Sequence, residues 1–407
     1  MRTGTWVVNR AYARRHLPKG VFDYVDGGAE DEVTVRENRR AFSDLSFKAR
    51  VLSGAGRRDQ SADVLGQRLQ VPVITAPTGL SRMAGPEGEK AAAIGAEQLG
   101  TVSILSSGTS IPMASVAASV TSPQWLQVYL YNDERMTLGR LEAARENGFR
   151  VLVVTADAPI SGNRERDVRN GMTMPFRITP QMMGGVLRRP RWLADYLLGP
   201  PLIHEEGVRP PGMVRRMLPA RDDGLANVLK GMFNAGQRWS DLERIRSLWD
   251  GPLVLKGVMC AEDARLAADI GCDGIVVSNH GGRQLDGLPA TIDVLPEVVA
   301  EVGDQVDVLL DSGIRRGTDV VKALALGAKA CLIGRPWVFG LANGGAAGVA
   351  AVLRTLHDEI DRTMALVGAS SIAELTPAIL RRRNGSGWTS LSYADEPART
   401  EVREERN

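Results

Sequence analysis

Cysteine is scarce in this chain of 407 residues, which contains only Cys260, Cys272 and Cys331. An odd number of cysteines, without the close spacing of a metal-ligand set, predicts neither a disulfide framework nor a metal site. Because a free cysteine packs like a small hydrophobic residue, we interpret all three as buried thiols in a reducing cytoplasm.

The sequence also lacks long apolar runs and an excess of one charge. Its first twenty residues mix polar, basic and apolar types, so we expect no secretory signal. No apolar run approaches the roughly 18 residues that span a bilayer. The net charge is +2, with acidic residues interleaved among the arginines, which gives no reason to expect nucleic-acid binding. We therefore expect a cytoplasmic protein that is neither exported nor integral to a membrane.

Short β-branched runs recur along the chain, each followed by a helix-like stretch such as 261–268. Strands that are apolar on both faces and alternate with amphipathic helices indicate a parallel sheet with helical crossovers. Eight such units favour an α/β fold of the (β/α)8 TIM-barrel type over an open doubly wound sheet. The eight predicted strands are 71–76, 102–106, 125–129, 151–155, 253–256, 274–278, 306–311 and 330–334.

Three further segments complete the predicted domain organisation. Residues 1 to about 70 read as a helical extension that packs against the barrel. Residues 172–235, between the fourth and fifth strands, are a Met-, Pro- and Arg-rich insertion. We predict a single domain over 1–383 and a disordered tail over 384–407, where Gly and Ser give way to a highly charged run.

A polar or small residue closes or follows each predicted strand. Barrel chemistry is built at the carboxyl ends of the strands, so we expect these side chains to meet at one mouth. The residues are Thr78, Ser106, Gln127, Thr155, Lys256, Ser278, Asp311 and Gly334.

The stretch 278–287, SNHGGRQLDG, places one of only four histidines just after a strand and before two glycines. His280 there can present an imidazole to the mouth and accept a proton near neutral pH, although a lone histidine is often structural. Arg283 offers a planar fork for a carboxylate. Arg164, in the charged run 161–167, is either a second such group or part of a solvated surface loop.

Glycine-lined loops follow the last two predicted strands, at 311–317 and 334–336. Such loops form the usual phosphate site of a barrel, and Arg315 and Arg335 would add positive charge. The alternative is that these are simple turn glycines. Lys256 ends an apolar strand and either faces an electron-rich ring carrying negative charge or reaches out to water.

The stretch 278–287 resembles the active-site signature of the FMN-dependent α-hydroxy acid dehydrogenases and oxidases. The resemblance covers about residues 10–380 and is strongest to the branch that contains (S)-mandelate and membrane-associated L-lactate dehydrogenases. It implies oxidation of an (S)-2-hydroxy acid to the 2-oxo acid, with His280 as the base and flavin N5 as the electron acceptor.

The resemblance also implies roles for individual residues. Tyr24, Arg164 and Arg283 would hold the substrate carboxylate, and Tyr129 would face the hydroxyl. Asp157 would orient the protonated His280. FMN would lie against two sets of residues: the ring against Pro77, Thr78, Gly79, Ser106, Gln127, Thr155, Lys256 and Ser278, and the ribityl phosphate against Asp311, Gly313, Arg315, Gly334 and Arg335.

Two glycines depart from the glycolate oxidase pattern. Gly108 stands where that enzyme carries a tryptophan, and Gly79 is often alanine in the oxidases. Glycine at both positions predicts a pocket wide enough for an aryl or long aliphatic side chain, as in a mandelate-like substrate, although lactate stays open. The alternative for Gly108 is neutral drift.

The insertion resembles the dehydrogenase branch as well, because 172–218 mixes methionines, arginines and aromatic residues. Such a segment can rest on the cytoplasmic face of a membrane, with electrons passing to quinone, or can serve as an active-site lid. The alternatives are an oxygen-using hydroxy acid oxidase, a flavin oxidase of a peptide-derived amine, and a non-catalytic flavin-binding scaffold. The family resemblance implies a homotetramer.

Overall fold

The computed structural model describes residues 4–172, 178–198, 234–384 and 387–391. Its central feature is a barrel of eight parallel strands, which all fall within or beside the predicted runs. The strands are β4 (Val73–Thr75), β5 (Ile104–Ser106), β6 (Trp125–Tyr129), β7 (Val151–Thr155), β8 (Leu253–Val258), β9 (Gly274–Val277), β10 (Asp307–Leu310) and β11 (Ala330–Ile333).

From β5 to β11, each barrel strand pairs in parallel with the next along the chain, and β11 pairs with β4. The ring closes through a parallel bridge between Thr75 and Ser103, where the Thr75 amide donates to the Val102 carbonyl at 3.3 Å. Strands such as β7 are buried along their whole length, because one face lines the barrel and the other faces helices. The predicted TIM barrel is confirmed.

Helices cover the outside of the barrel. Those that follow the strands are α4 (Glu89–Glu97), α5 (Met113–Ala117), α6 (Glu134–Glu146), α7 (Glu165–Arg169), α10 (Trp239–Leu248), α11 (Ala261–Asp269), α12 (Thr291–Val302), α13 (Gly317–Ala325) and α14 (Arg335–Val367).

Among the described residues, α14 alone is long and apolar enough to cross a membrane. More than half of its apolar window is buried inside the protein, and the helix packs against α4 and the amino-terminal helix α1 (Trp6–His16). Its backbone leaves helical geometry at Gly344 and Gly345. We therefore interpret α14 as a core helix of the barrel.

The amino-terminal extension contains the predicted helices, α1 followed by α2 (Lys19–Asp26) and α3 (Val33–Arg40). It also contains three strands that the helical interpretation missed: β1 (Leu45–Phe47) and the hairpin of β2 (Ala62–Val64) with β3 (Gln67–Leu69).

The hairpin plugs the amino-terminal end of the barrel. Its turn residues Leu65 and Gly66 both have positive φ, as a two-residue hairpin requires. The Leu65 amide donates to Asp307 at 2.7 Å, and Trp125 donates to Gln67 at 3.0 Å. The hairpin therefore closes the barrel floor opposite the mouth and is tied to it by these two hydrogen bonds.

The described part of the insertion forms α8 (Pro180–Leu187) and α9 (Pro190–Leu198), which pack onto the barrel. Trp192 donates its indole N–H to the Met83 carbonyl at 2.7 Å and stacks on Tyr196. Arg82 donates to the Asp195 carbonyl at 2.9 Å. The remainder of the insertion, 173–177 and 199–233, lies outside the described residues.

The predicted tail begins with ordered structure. Residues Gly387–Ser390 form β13, which pairs antiparallel with β12 (Leu380–Asn384), and β12 pairs with β1. The expectation of disorder is wrong for these four residues, because the exposed edge of β12 offers backbone groups that a following strand can pair. Residues 392–407 lie outside the described residues.

Candidate active site

A cavity of about 810 Å³ opens at the carboxyl ends of the barrel strands. Eighteen of the twenty predicted site residues line it. The other two, Asp157 and Ser278, lie directly behind the lining, where they hydrogen-bond to lining residues. The barrel therefore brings together residues that are spread over more than 300 positions of the chain.

The loop after β9 turns unusually sharply. His280, Gly281 and Gly282 all have positive φ, at 56°, 68° and 71°. A Cβ on Gly281 would come within 2.7 Å of the Arg335 guanidinium, and a Cβ on Gly282 within 2.8 Å of Val35. Only glycine fits at these two positions, and the turn they make sends the His280 ring into the cavity.

Other residues of the same loop anchor it to the amino-terminal extension. The side chains of Asn279 and Asn38 donate to each other, at 2.8 and 2.9 Å. Asp286 accepts from the backbone amides of Val33 and Thr34, at the start of α3. The 278–287 signature therefore divides into residues that face the cavity and residues that fix the loop, a distinction that the sequence alone does not reveal.

Four charged or polar side chains form a connected group on the β7–β10 side of the mouth, which we call the charged end: His280, Asp157, Lys256 and Asp311. His280 Nδ1 lies 2.7 Å from Asp157 Oδ1. Lys256 Nζ lies 3.1 Å from Asp311 Oδ2 and 3.8 Å from Asp157 Oδ2. Ser278 joins the group, because its hydroxyl accepts from Lys256 at 2.8 Å and from the His280 amide at 3.1 Å.

The surroundings at the charged end keep the Asp157 carboxylate and the Lys256 ammonium ionised. Burial alone would raise the pKa of Asp157, but His280 and Lys256 outweigh it and the pKa lies below its usual value. Burial alone would lower the pKa of Lys256, but Asp311 and Asp157 raise it above its usual value. Lys256 therefore stays inside the mouth with acidic partners, and its side chain is only 5% exposed, so the alternative of a solvated lysine is wrong.

Arg164 and Arg283, the guanidinium pair, lie near the two cavity residues Tyr24 and Tyr129. The guanidinium carbons lie 5.7 and 5.0 Å from the centre of the Tyr24 ring. Arg283 also donates to the Tyr24 carbonyl at 2.6 Å. Arg164 lines the cavity, so the alternative of a solvated surface loop is wrong for this residue.

The guanidinium pair lacks a full set of counter-charges among the described residues. Its nearest carboxylate is Asp167, 3.5 Å from Arg164 Nε. Burial and the neighbouring Arg164 lower the pKa of Arg283. Burial and the Asp157 carboxylate raise the pKa of Tyr129, which keeps its hydroxyl protonated. Two neighbouring cations beside a neutral hydroxyl make this region suited to a carboxylate ligand.

A second basic region lies where the loops after β10 and β11 meet. Burial and the Arg335 and Arg39 charges lower the pKa of Arg315 to about 9, and burial and Arg283 lower that of Arg335 to about 10. Gly313 there has φ of 89° and would place a Cβ 2.0 Å from the Asn38 carbonyl oxygen. The lowered pKa values mean that the surroundings of Arg315 and Arg335 disfavour their positive charge, and an anion bound there would stabilise it. The alternative of simple turn glycines does not account for this region.

Arg335 is more than a source of charge. Its guanidinium donates to the carbonyls of Val25, Gly281 and Gly27, at 3.1, 3.0 and 2.7 Å. It therefore ties the His280 loop to α2 and the turn that follows it, a structural role that its position after β11 did not predict.

The cavity also contains polar atoms that the described residues leave without a hydrogen-bond partner. They include Gln127 Nε2, Thr155 Oγ1 and Arg315 Nε. Gln127 is held by its other end, since Oε1 accepts from Ser106 and from the Ser107 amide. A buried donor or acceptor without a partner is costly, so a polar ligand is expected at each. A flavin ring with its ribityl phosphate offers such partners, and the residues present fit FMN.

A family model described as FMN-dependent dehydrogenase matches residues 13–382. The chain belongs to the FMN-dependent dehydrogenase family. Members of the family are oxidoreductases, and the fit of the cavity to FMN agrees with this membership.

Curated members with similar sequences include two plant enzymes. Glycolate oxidase 1 of Oryza sativa subsp. indica is 40% identical over 369 residues, which cover 91% of this chain and 93% of that protein. The peroxisomal (S)-2-hydroxyacid oxidase of Arabidopsis thaliana is 40% identical over 372 residues, covering 91% and 94%.

Solved structures of the family match the whole fold. The monotopic membrane protein (S)-mandelate dehydrogenase superposes with a TM-score of 0.86 at 36% identity, covering 94% of this chain and 99% of that one. Mandelate oxidase superposes with a TM-score of 0.77 at 33% identity, covering 92% and 97%.

Opposite the charged end, on the β4–β6 side of the mouth, lies a region that we call the glycine end: Gly79, Gly108, Tyr131, Met136 and Arg140. Gly79 and Gly108 face each other, since a Cβ on Gly79 would lie 3.0 Å from the Gly108 carbonyl oxygen. A Cβ on Gly108 would meet only ordinary contacts, the nearest at 3.6 Å. The cavity is therefore open beside Gly79 and Gly108, since neither residue has a side chain to fill it.

Several residues at the site were not among those predicted. Ser312 lines the cavity and accepts from the Gly281 amide at 3.0 Å, and Gln284 donates to the Asp157 carbonyl at 3.2 Å. Asp167 partners Arg164. These three stand in the motifs that drew attention to their neighbours, so the signal for them was present. Tyr131, Met136 and Arg140 lie in a loop and helix with no motif.

Proposed function

We propose that this flavoprotein oxidises an (S)-2-hydroxy acid with an aryl or other bulky side chain to the 2-oxo acid, with His280 as the base. The observation that carries the proposal is that His280, which is hydrogen-bonded to Asp157 behind it, and the guanidinium pair face the same cavity. A base and a carboxylate-binding site in one cavity are what a hydroxy carboxylate needs when it loses two protons and two electrons, of which His280 would take one proton.

The guanidinium pair would hold the substrate carboxylate. Arg283 already uses part of its fork on the carbonyls of Tyr24 and Gly27, which leaves the rest for a ligand. Binding the carboxylate would supply the negative charge that the two arginines lack, and it would fix the α-carbon relative to His280. The Tyr24 and Tyr129 hydroxyl groups would hydrogen-bond to the substrate beside them.

His280 would take a proton from the substrate through Nε2. Asp157 accepts the Nδ1 hydrogen bond, which favours the neutral tautomer with Nε2 unprotonated. After the transfer, the Asp157 carboxylate lies 2.7 Å from the imidazolium and stabilises its charge. Lys256 in turn keeps Asp157 ionised, so the charged end is arranged for the proton before substrate arrives.

FMN would be held by three residues with unpartnered polar atoms, Gln127, Thr155 and Arg315, and by Lys256, which already has acidic partners. Gln127, Thr155 and Lys256 would contact the ring, and Arg315 would contact the phosphate. Bound there, FMN supplies a two-electron acceptor. Lys256, buried beneath the mouth, would favour negative charge on the ring electrostatically.

The glycine end supports a substrate with a large side chain. With hydrogen in place of two side chains, Gly79 and Gly108 leave room beside the cavity for a ring. Two solved relatives are named for mandelate, whose side chain is a phenyl group, and the curated relatives are named for smaller hydroxy acids. The open pocket favours the larger class.

The test is anaerobic reduction of the bound flavin by a panel of hydroxy acids, from glycolate through (S)-lactate to (S)-mandelate. We expect (S)-mandelate to bleach the flavin absorbance with the highest kcat/KM, and (R)-mandelate not to do so. Bleaching by none of the panel would overturn the proposal, and preference for glycolate would overturn the assignment of a bulky side chain.

The proposed reaction has two candidate electron acceptors, quinone and oxygen. We infer a dehydrogenase that passes electrons to quinone, as the resemblance to the mandelate dehydrogenase branch implies. The curated relatives are named oxidases, which favours oxygen as the second candidate. Peroxide formation in air, compared with reduction of a quinone analogue, separates the two: a dehydrogenase reduces the analogue much faster than it forms peroxide.

We also propose peripheral contact with the cytoplasmic face of the membrane through 172–218. In the described part of this segment, Leu187 and Leu198 are exposed on helices whose other faces pack on the barrel. Sedimentation of cell membranes tests the proposal. We expect enzyme in the pellet that detergent releases, whereas enzyme found entirely in a low-salt supernatant contradicts it. We expect a homotetramer, which light scattering of the purified holoenzyme measures.

A further inference from the structure

The glycine end contains a cation for which the proposed reaction has no use. Arg140 lies in α6, on the helix face that also carries Met136, and both side chains line the cavity. The carboxylate of the hydroxy acid is already provided for by the guanidinium pair, which follows β7 and β9. Arg140 follows β6, on the other side of the mouth.

Arg140 is connected to the open pocket through two neighbouring side chains. Ser107, Gly108 and Tyr131 line the same cavity as Arg140, and the Arg140 charge acts on the tyrosine hydroxyl. Burial raises the pKa of Tyr131, although Ser107 and Arg140 oppose the rise, so its hydroxyl stays protonated. A neutral hydroxyl and a guanidinium that acts on it therefore line the same cavity as Gly108.

The surroundings of Arg140 differ from those of its neighbour on the same helix. Arg135 pairs with Asp133 at 2.9 Å on the outer surface. Arg140 is half-buried, and no carboxylate of the described residues forms an ion pair with it. A guanidinium that is partly removed from water and has no counter-charge favours an anionic ligand, which it can bind through two parallel hydrogen bonds.

We propose that Arg140 is a specificity-determining residue, and that the preferred substrate is a 2-hydroxy acid with a second negatively charged group at the far end of its side chain. This inference rests on the proposed function, and it adds a second anion site to the same cavity. The hydroxy carboxylate binds at the guanidinium pair, the side chain passes over Gly79 and Gly108, and its distal carboxylate meets Arg140 and Tyr131.

The test uses the FMN-loaded full-length enzyme and three substrates: (S)-mandelate, its 4-carboxy derivative and its 4-carbamoyl derivative. The last two have nearly the same shape and differ in charge. We expect kcat/KM for the carboxy compound to exceed that for the carbamoyl compound. Arg140→Leu should lower this ratio about tenfold or more, and Arg140→Lys should lower it less.

Arg135→Leu is the matched control, because it removes an arginine from the outer face of the same helix; it should leave the ratio unchanged. Binding is measured separately, from the change in flavin absorbance when the corresponding 2-oxo acids are added. The Arg140→Leu variant should weaken binding of the 4-carboxy compound more than that of the 4-carbamoyl compound.

The outcomes distinguish this inference from the proposed function. If none of the three substrates reduces the flavin of the wild-type enzyme, the proposed function fails. If mandelate is oxidised but the ratio is the same in wild type and Arg140→Leu, the inference alone fails. An equal loss with all three substrates would show that Arg140 supports the structure of the pocket, which also overturns the inference.

Discussion

The two ends of the cavity are built in opposite ways. At the charged end, every side chain is fixed by others: Asp157 bonds to His280 at 2.7 Å, and Lys256 lies within 3.8 Å of two carboxylates. At the glycine end, two facing residues have no side chain at all, and a Cβ could be added at Gly108 without a close contact. The charged end is therefore fixed by side-chain contacts, whereas the glycine end is an open space that side chains do not fill.

This difference indicates which end can vary. A change at the charged end leaves a buried charge without its partner, which costs several kcal/mol and disturbs the geometry of the reaction. A change at the glycine end alters which side chain fits and leaves the base and guanidinium pair in place. We infer that the charged end fixes the reaction, and that the glycine end selects the substrate. Four experiments test this division.

Replacing the base should have the largest effect. His280→Gln keeps a polar side chain of similar size but cannot accept the proton, so the rate of flavin reduction by substrate should fall about 10²–10⁴-fold. Stopped-flow absorbance measures the rate, and the flavin content of the purified variant is its control. An unchanged rate in a flavin-loaded variant would show that the charged end does not carry the reaction.

Removing the buried ammonium should chiefly affect stability. Lys256→Met leaves Asp157 and Asp311 without their shared cation, and removing one partner of a buried ion pair costs about 3–5 kcal/mol. We expect a lower urea midpoint for the apoprotein. The double variant Lys256→Met/Asp311→Asn, with one fewer unpaired charge, should recover part of the loss; no recovery would argue against an electrostatic cause.

Filling the space at the other end should change selectivity. Gly108→Trp should lower kcat/KM for mandelate relative to lactate by about 10–200-fold, because the ring would occupy the substrate's place. Gly108→Ala should have a small effect, since its Cβ meets nothing nearer than 3.6 Å. Measured kcat/KM values for both substrates decide the matter: equal losses would mean that Gly108 is not part of the specificity pocket.

The smallest effect concerns the acid dependence of stability. The pKa of Asp157 is lowered in the folded protein, so its contribution is present above the unfolded pKa of about 3.9 and is lost as pH falls through the lower folded value. Asp157→Asn should therefore be less stable than wild type at pH 5–7, and the two should converge at the lowest pH. Melting temperatures across pH 3–7 test this, and parallel curves would contradict it.

Much of the barrel could be predicted from the sequence. The eight β-branched runs are apolar on both faces, and only a parallel sheet covered by helices buries both faces of a strand. The small hairpin around Leu65 and Gly66 was missed because three-residue strands have too few positions to show alternation. The strand β13 was missed because its pairing depends on β12, not on its own polar sequence.

Predicting the site depended on motifs. His280, Arg283 and Gly313 stand in short stretches whose glycines and charged residues are conspicuous, and the structure brings them to one cavity. Arg140 and Tyr131 could not be found this way, because an arginine in an amphipathic helix looks the same whether it faces solvent or a pocket. Only the orientation of α6 against the barrel distinguishes Arg140 from Arg135.

The sequence by itself determined the order of the strands, the polar residues at their carboxyl ends and the glycines on which the sharp loops depend, because each follows from local chemistry. The tertiary structure decided which charges became partners and which were left without one. Lys256 lies within ion-pair distance of two carboxylates, whereas Arg140 forms an ion pair with none of the described residues. Both are cations that end or follow a barrel strand. Their environments differ because the packing of distant segments sets which atoms share the buried space.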